Sequence, residues 1–239
     1  MNERLPAVSK KSAPELDKKK RVAVVDYGLG NLFSVKQACL NAGLQAEVTT
    51  ERKDLAAADA VILPGVGAFG DAMQALHKLD LIGPLRELAD AGKYLMGVCL
   101  GMQLLLTESE EFGEHRGLDI IPGTVLRFPA MENERRKLKI PQMGWNRIYR
   151  PPLETAGDPW GNSPLMELNE EPFFYFVHSY YANPETKEVV LAMSRYGDVE
   201  FCAGMRLGNI FAFQFHPERS GPQGLQIYNS FAHLIHTRD

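Results

Sequence analysis

A cysteine lies between two glycines in the segment "GVCLG" at 97–101, where an apolar run meets a helical pattern. A thiol at a sharp strand-to-helix turn is held above the edge of a sheet, and small neighbours relieve the crowding there. N–H groups at the start of the following helix favour a thiolate and can donate to an oxyanion. A buried structural cysteine is the alternative. The flanking glycines favour Cys99 as a nucleophile.

A thiol nucleophile needs a general base, and the base needs an acceptor that orients it. Of the six histidines, only His216 follows an apolar strand with a carboxylate, Glu218, two residues on. Pro217 turns the chain between them, so that both side chains can lie on the same side. A strand-end histidine with a purely structural role is the alternative. The spacing predicts a Cys99–His216–Glu218 triad.

A third candidate is the glycine-rich segment "LPGVGAFGDAM" at 63–73, which follows another apolar strand. Its glycines free the backbone to direct N–H groups at a developing oxyanion. Such loops are common, so the segment is a weak signal alone. Its predicted place at the carboxyl edge of a neighbouring strand, where open α/β sheets bind ligands, strengthens it.

The elements that must position these residues alternate between strand and helix from Arg21 onward. This rhythm predicts a mostly parallel open α/β sheet, flavodoxin-like, with helices on both faces. After about Gly117 the pattern changes to strands with little helix, which we interpret as antiparallel additions within one domain, 21–239. A closing helix follows. The later strand candidates are "TVLRF", "KIPQMGW", "PFFYFV", "VVLAMSR", "EFCAGMR" and "NIFAFQF".

Composition excludes several classes of function. The net charge of −4 over 239 residues gives no electrostatic case for nucleic acid or an anionic membrane. No apolar run approaches the ~20 residues of a membrane-spanning helix. Three cysteines without paired spacing argue against disulfides and zinc and for a reducing compartment, so we expect the cytoplasm, with no metal or cofactor. Residues 1–20 are interpreted as a disordered tail, with a targeting peptide as the alternative.

Together, "GVCLGMQLL" and "FQFHPE" resemble the class I (triad) glutamine amidotransferases. Within that family, "DYGLGNLFSV", "LPGVGAFGDAM", "IPQMGWN" and "YFVHSYY" resemble the glutaminase subunits of imidazole glycerol phosphate synthase. The match covers about residues 21–237. One departure is Gln142, where the family most often has histidine, and it leaves a local contact open.

The resemblance implies that Cys99 attacks the side-chain amide of glutamine and forms a γ-glutamyl thioester. His216 would remove the thiol proton and later protonate the departing ammonia, while Glu218 orients the imidazole. Backbone N–H groups of Val66 and Leu100 would form the oxyanion hole. The expected substrate-binding residues are Gly65, Gly67, Gln103, Ser179 and Tyr180.

A partner is also implied. The chain has no phosphate-binding loop, so the acceptor chemistry must lie on another protein. The resemblance makes that partner a (β/α)8-barrel cyclase that forms a heterodimer with this chain and makes imidazole glycerol phosphate for histidine synthesis. Candidate interface residues are Asn31, Trp145 and Arg219. An exposed tryptophan suits an interface anchor, and a core tryptophan is the alternative.

The oxyanion segment also predicts regulation, because Val66 is β-branched and disfavours positive φ. We hypothesise that the isolated chain rests with the Val66 N–H turned away and that the loaded partner reverses it. Three other functions remain open: the glutaminase of anthranilate or aminodeoxychorismate synthase, a peptidase-like or glyoxalase-like Cys-His-Glu enzyme, and an inactive regulatory protein.

Overall fold

The centre of the fold is a parallel sheet of five strands. The computed structural model describes residues 19–129, 139–152 and 158–237. In spatial order the strands are β2 (Gln45–Thr49), β1 (Arg21–Val25), β3 (Ala60–Leu63), β4 (Tyr94–Val98) and β13 (Ile210–Phe213). All neighbouring pairs in this row run parallel. The strand order reverses beside β1, as in flavodoxin-like folds, and the predicted fold class is confirmed.

Helices cover both faces of this sheet because its strands alternate side chains between two cores. Val22 and Val24 pack in one apolar cluster with residues of α1 and α6. Ala23 and Val25 belong to the other cluster, with residues of α2 to α5. Strands buried on both faces are typical of parallel sheets. The helices are α1 (Leu32–Asn41), α2 (Arg52–Ala57), α3 (Phe69–Lys78), α4 (Ile82–Asp90), α5 (Leu100–Leu104) and α6 (Gly221–His236).

The second half of the chain extends the sheet beyond β13, in the order β12, β10, β7, β5 and β6, with β11 pairing β12. Most of these pairs are antiparallel, as expected, and β5 with β7 is a parallel exception. Single 3-10 turns lie at Lys187–Val189 and Pro217–Arg219. The strands are β5 (Leu106–Ser109), β6 (His115–Arg116), β7 (Ile121–Arg127), β10 (Tyr180–Pro184), β11 (Val190–Tyr196) and β12 (Val199–Leu207).

Two later segments differ from the simple antiparallel expectation. The strand candidate at 209–215 becomes β13, which is antiparallel to β12 but parallel to β4, so it completes the parallel core. Strands β8 (Gln142–Arg147) and β9 (Phe173–His178) form a separate two-stranded ladder. In that ladder Gln142 lies opposite His178, and Trp145 lies opposite Tyr175.

The described residues begin at Lys19, two residues before the predicted domain boundary at Arg21. The carbonyl of Lys20 accepts the Gln45 N–H at 2.9 Å, and β1 starts at Arg21. Residues 1–18 of the predicted tail lie outside the described residues.

Candidate active site

Cys99 sits in a strained turn between β4 and α5, as the flanking glycines predict. Its φ of 54° and ψ of −108° are unusual for a residue with a side chain. A Cβ on Gly101 would lie 1.8 Å from the Leu63 carbonyl oxygen, and one on Gly97 would lie 2.9 Å from the Gly101 oxygen. Gly101 therefore lets the turn approach β3, and Gly97 lets the turn fold closely onto its own backbone. The thiol is 6% exposed.

The predicted base and its orienting carboxylate meet at the end of β13. Nδ1 of His216 lies 2.8 Å from Oε1 of Glu218, and the two side chains are 3% and 1% exposed. Nε2 of His216 has no hydrogen-bond partner among the described residues, which leaves it for Cys99. Burial alone would lower the pKa of His216, but the Cys99 thiolate and Glu218 raise it above its usual range. The arrangement supports His216 as the general base for Cys99, with Glu218 holding the imidazole ring.

A hydrogen-bonded network behind the sulfur fixes this side of the pocket. Nε2 of Gln214 lies 3.8 Å from Cys99 Sγ, and Nε2 of Gln103 donates to Oε1 of Gln214 at 3.0 Å. The same Gln103 nitrogen donates to the Tyr180 carbonyl at 2.9 Å. Nδ1 of His178 donates to that carbonyl at 2.8 Å, because a carbonyl can only accept. Each side chain is thereby held by its neighbour.

Two members of this network, His178 and Gln214, were not predicted. Gln214 could have been found, because it lies two residues before His216, where side chains of an extended strand share a face. His178 ends β9 in an aromatic environment that includes Phe128 and Phe201. Burial lowers the pKa of His178 to about 4, with a small contribution from the nearby His216, so its imidazole is neutral at pH 7.

The sulfur faces a cavity of about 320 Å³. Four of the five predicted substrate-binding residues line this cavity, and Gly65 does not. Cys99 and both predicted oxyanion residues also line it. Gly65 lies directly behind Leu100, because a Cβ there would be 3.0 Å from the Leu100 Cβ. The lining residues are Val66, Gly67, Cys99, Leu100, Gln103, Glu111, Pro141, Val177, His178, Ser179 and Tyr180.

Glu111 contributes the carboxylate of this lining and was also not predicted. Its Oε2 accepts the Phe69 N–H at 2.6 Å, and so it caps α3, whose own N-cap residue Ala68 makes no side-chain bond. Burial raises the pKa of Glu111, although the Phe69 hydrogen bond opposes that shift. The residue belongs to the loop before β6, and no local sequence pattern connects it with α3.

The predicted oxyanion loop, Pro64 to Ala68, is turned in a specific direction. The Leu100 N–H donates to the Gly65 carbonyl at a long 3.4 Å. Because the C=O and N–H of a trans peptide point in opposite directions, the Val66 N–H is directed away from Leu100. The Tyr27 hydroxyl donates to the Pro64 carbonyl at 2.7 Å, and Val66 is 41% exposed. This is the orientation hypothesised for the isolated chain.

Of the predicted interface residues, two meet on the outer face of the β8–β9 ladder. Trp145 is 57% exposed, so its core alternative is wrong, and its ring contacts Tyr175 edge-on. The guanidinium of Arg219 lies 4.3 Å from the centre of the Tyr175 ring. Asn31 instead caps α1 by accepting the Ser34 N–H at 3.4 Å.

Gln142, the residue that departs from the family pattern, is buried at the start of β8. Its Oε1 has no hydrogen-bond partner in the described parts of the chain, and Nε2 of His178, across the ladder, has none either. Both atoms are acceptors, because the neutral His178 carries its proton on Nδ1, so no hydrogen bond can join them directly.

The described residues contain no evident metal site and no second reactive thiol. Within residues 19–129, 139–152 and 158–237, no group of three or more His, Cys, Asp or Glu side chains could hold a metal ion. No helix in these ranges is long and apolar enough to cross a membrane. Burial raises the pKa values of Cys39 and Cys202 to about 12, so both are poor nucleophiles.

Comparison with known proteins extends these observations. The family model Glutamine amidotransferase class-I matches residues 23–234. A protein of Moorella thermoacetica named imidazole glycerol phosphate synthase subunit HisH is 44% identical over 216 residues, 90% of this chain and 95% of its own. The protein of the same name from Geobacter sulfurreducens is 42% identical over 218 residues, with 90% and 99% covered.

Solved structures share the fold at lower identity. The structure of PurLQS from Thermotoga maritima has a TM-score of 0.65 and 21% identity, and covers 90% of this chain and 98% of its own. A crystal structure described as a glutamine amidotransferase has a TM-score of 0.65 and 20% identity, covering 89% of this chain and 98% of its own.

Proposed function

The chain belongs to the class-I glutamine amidotransferases, and we propose that it releases ammonia from glutamine through Cys99, His216 and Glu218. It acts as the amidotransferase subunit of imidazole glycerol phosphate synthase, in histidine biosynthesis, as its relatives named HisH do. The observation that carries the catalytic assignment is the buried His216–Glu218 pair, whose free Nε2 is left to a thiol in a strained turn.

In the first half-reaction, Nε2 of His216 takes the proton from Cys99 Sγ, and the sulfur attacks the amide carbon of glutamine. The carbonyl electron pair moves onto oxygen and gives a tetrahedral oxyanion. When this intermediate collapses, the departing amide nitrogen takes the proton from Nε2, the C–N bond breaks, ammonia leaves, and a γ-glutamyl thioester remains. Glu218 holds the imidazole through Nδ1 and stabilises its positive charge.

In the second half-reaction, Nε2 of His216 removes a proton from water, which attacks the thioester carbon. The C–S bond then breaks, the sulfur regains the proton, and glutamate leaves. Gln214 supports the sulfur in both steps, because its Nε2–H group points at Sγ and favours the thiolate. Its amide is kept in that orientation by Gln103.

The oxyanion requires two donors, for which we assign the Leu100 and Val66 N–H groups. In the resting arrangement the Gly65 carbonyl occupies the Leu100 N–H. A half-turn of the Gly65–Val66 peptide would free the Leu100 N–H and direct the Val66 N–H to the same point. The active form therefore requires this rotation.

Substrate recognition is assigned to the remaining cavity residues. Glutamine carries an α-ammonium, and Glu111 offers the complementary carboxylate within the described lining. Gln103 already donates its amide hydrogens to Gln214 and Tyr180, so its oxygen is the atom left for a substrate donor. We further assign Gly65, Gly67, Ser179 and Tyr180 to the substrate, as the resemblance implies.

The partner is the cyclase subunit that the relatives' names imply, and we propose a heterodimer with a (β/α)8 barrel in the cytoplasm. Ammonia is mostly protonated in water at neutral pH, so it must reach the acceptor without leaving the complex. The outer face of β8–β9 suits this contact, because Met143, Trp145 and Phe173 are 66%, 57% and 46% exposed. We assign residues 21–239 to the amidotransferase domain and place Asn31 and Arg219 at the interface.

The test is a comparison of two nitrogen sources. The complex of this chain with the barrel cyclase is assayed for imidazole glycerol phosphate with glutamine and then with an ammonium salt. We expect Cys99→Ala to abolish synthesis from glutamine and to leave synthesis from ammonia intact. Loss of both activities in an assembled complex would contradict the division of labour. A chain that hydrolyses no glutamine with the cyclase present would support the glyoxalase-like alternative.

A further inference from the structure

Beneath the triad, a buried acceptor and a buried donor each lack a partner. Oε1 of Glu218 bonds His216, but Oε2 has no hydrogen-bond partner among the described residues, and the side chain is 1% exposed. The hydroxyl of Tyr228, which is 0% exposed, also has none among them. Buried polar groups are nearly always paired, so both atoms call for an explanation.

The fold brings these two residues together. Helix α6 begins just after the 3-10 turn that carries Glu218, and it approaches the turn closely at Gly224. A Cβ on Gly224 would lie 1.8 Å from the Pro217 carbonyl oxygen. Tyr228 is four residues further on, and residues four apart share one face of a helix. The Gly224–Tyr228 face therefore packs against the turn.

The electrostatic effect of Glu218 on Tyr228 agrees with this placement of the two residues. Burial is the main cause that raises the pKa of Tyr228, and the Glu218 carboxylate raises it further, with a smaller contribution from Cys39 of α1. An interaction of this kind requires the carboxylate to lie near the phenol. The hydroxyl stays protonated at every pH at which the protein functions, so it is always a donor.

We propose that Tyr228 is a positioning residue of the triad, whose hydroxyl donates to Oε2 of Glu218 through one bridging water. The bond fixes the carboxylate in the plane that Nδ1 of His216 requires. Tyr228 touches neither substrate nor the reacting atoms and acts through Glu218. The proposal rests on the proposed function only in that glutamine turnover is one of its two readouts.

The first readout is glutamine turnover by the complex with the cyclase. A hydrogen bond to a charged group typically changes an equilibrium by about 10-fold or more. We therefore expect Tyr228→Phe to lower kcat for glutamine about 10-fold, with KM for glutamine and ammonia-supported synthesis unchanged. The matched control is Ser230→Ala, which removes another buried hydroxyl of α6 without a described partner and should leave kcat unchanged.

The second readout is the rate at which iodoacetamide alkylates Cys99, followed by mass spectrometry. It needs no glutamine, so it decides the proposal even if the proposed function is wrong. We expect Tyr228→Phe to slow alkylation in the wild-type background and to have no further effect in a Glu218→Ala background. An equal effect in both backgrounds, or wild-type kcat and alkylation in Tyr228→Phe, would overturn the proposal.

Discussion

The two sides of the catalytic cavity differ in how their polar groups are held. On the thiol side, the fixed wall of Cys99, Gln103, Gln214 and His216 is at most 6% exposed. Hydrogen bonds connect the first three residues, and Glu218 holds His216. On the other side, the oxyanion loop from Pro64 to Ala68 has an exposed residue at its centre. The groups that break and form bonds are buried, and the peptide that must stabilise the oxyanion is near solvent.

Among the described residues, side-chain hydrogen bonds anchor the loop only at its ends. Tyr27 holds the Pro64 carbonyl at one end, and Glu111 holds the Phe69 N–H at the other. Between them, the Gly65 carbonyl accepts the long hydrogen bond from Leu100. A peptide held in this way can rotate without disturbing the core. Under the proposed mechanism, the nucleophile is therefore ready at all times, while the site of charge stabilisation is switched.

The first and largest prediction tests this switch. If the isolated chain lacks one oxyanion donor, binding of the ligand-loaded cyclase should raise kcat for glutamine by roughly 100- to 1000-fold, the usual value of such a donor. KM for glutamine should change much less, because the fixed wall and the substrate groups stay in place. Steady-state hydrolysis with and without the loaded partner measures both constants.

A matched variant separates the switch from other effects of the partner. Val66→Gly removes the β-branch that disfavours the rotated peptide, so it should raise the basal rate of the isolated chain and leave the complex nearly unchanged. If the isolated wild-type chain already hydrolyses glutamine as fast as the loaded complex, the oxyanion loop is not a switch.

The fixed wall was largely predictable from sequence because its signals are local. The glycines around Cys99 and the two-residue spacing of His216 and Glu218 each describe a single turn of backbone. The oxyanion loop was located for the same reason. Its resting direction agrees with the hypothesis drawn from Val66, whose β-branch restricts φ.

The unpredicted parts depend on contacts between distant segments. Glu111 caps a helix 42 residues away in sequence. Tyr228 reaches the triad only because α6 packs tightly on the turn at Pro217. Between β4 and β13 the chain forms several other strands. The alternation of strands and helices in the sequence could therefore not show that β13 runs parallel to β4. The short α2, at Arg52–Ala57, gives too little periodicity to be recognised.

The second prediction concerns His178 in acid, because His178 and Gln103 of the fixed wall donate to the same Tyr180 carbonyl. The pKa of His178 is about 4 in the folded protein and 6.5 when unperturbed. Between these values the unfolded chain binds the proton more strongly, so stability is fully present above pH 6.5 and is lost as the pH falls towards 4. The physical cause is Nε2, which would become a buried donor without a described partner. The loss is at most about 3 kcal/mol.

Urea unfolding at pH 7 and at pH 4.5 measures this loss, and an NMR titration of the His178 ring checks the pKa directly. His216 does not add to it, because its pKa is raised in the folded protein, so its contribution is fully present below pH 6.5 and is lost as the pH rises above that value. His178→Phe should be less stable at pH 7 and should lose less stability in acid. A His178 ring that titrates near pH 6.5 in the folded chain would contradict a buried, neutral His178 beside the fixed wall.

The third prediction, with the smallest effect, concerns the anchored end of the oxyanion loop. A Cβ on Gly65 would lie 2.1 Å from the Tyr27 hydroxyl oxygen, so Gly65→Ala forces the tyrosine or the loop to move. Overpacking of this kind costs about 1–3 kcal/mol of folding stability. Adding Tyr27→Phe removes the oxygen that clashes, so the double variant should regain part of the loss. Urea unfolding of the isolated chain measures both changes.

Gly67→Ala is the matched control, because its cost has a different origin. Gly67 has a φ of +108°, and the nearest atom to a Cβ there is Leu29 Cδ2 at 3.9 Å, so an alanine would be strained but would not clash. Tyr27→Phe should therefore rescue Gly65→Ala and leave Gly67→Ala as unstable as before. Equal rescue of both variants would mean that Tyr27 acts on the loop as a whole. The loop would then move as one unit with the core, and its contrast with the fixed wall would disappear.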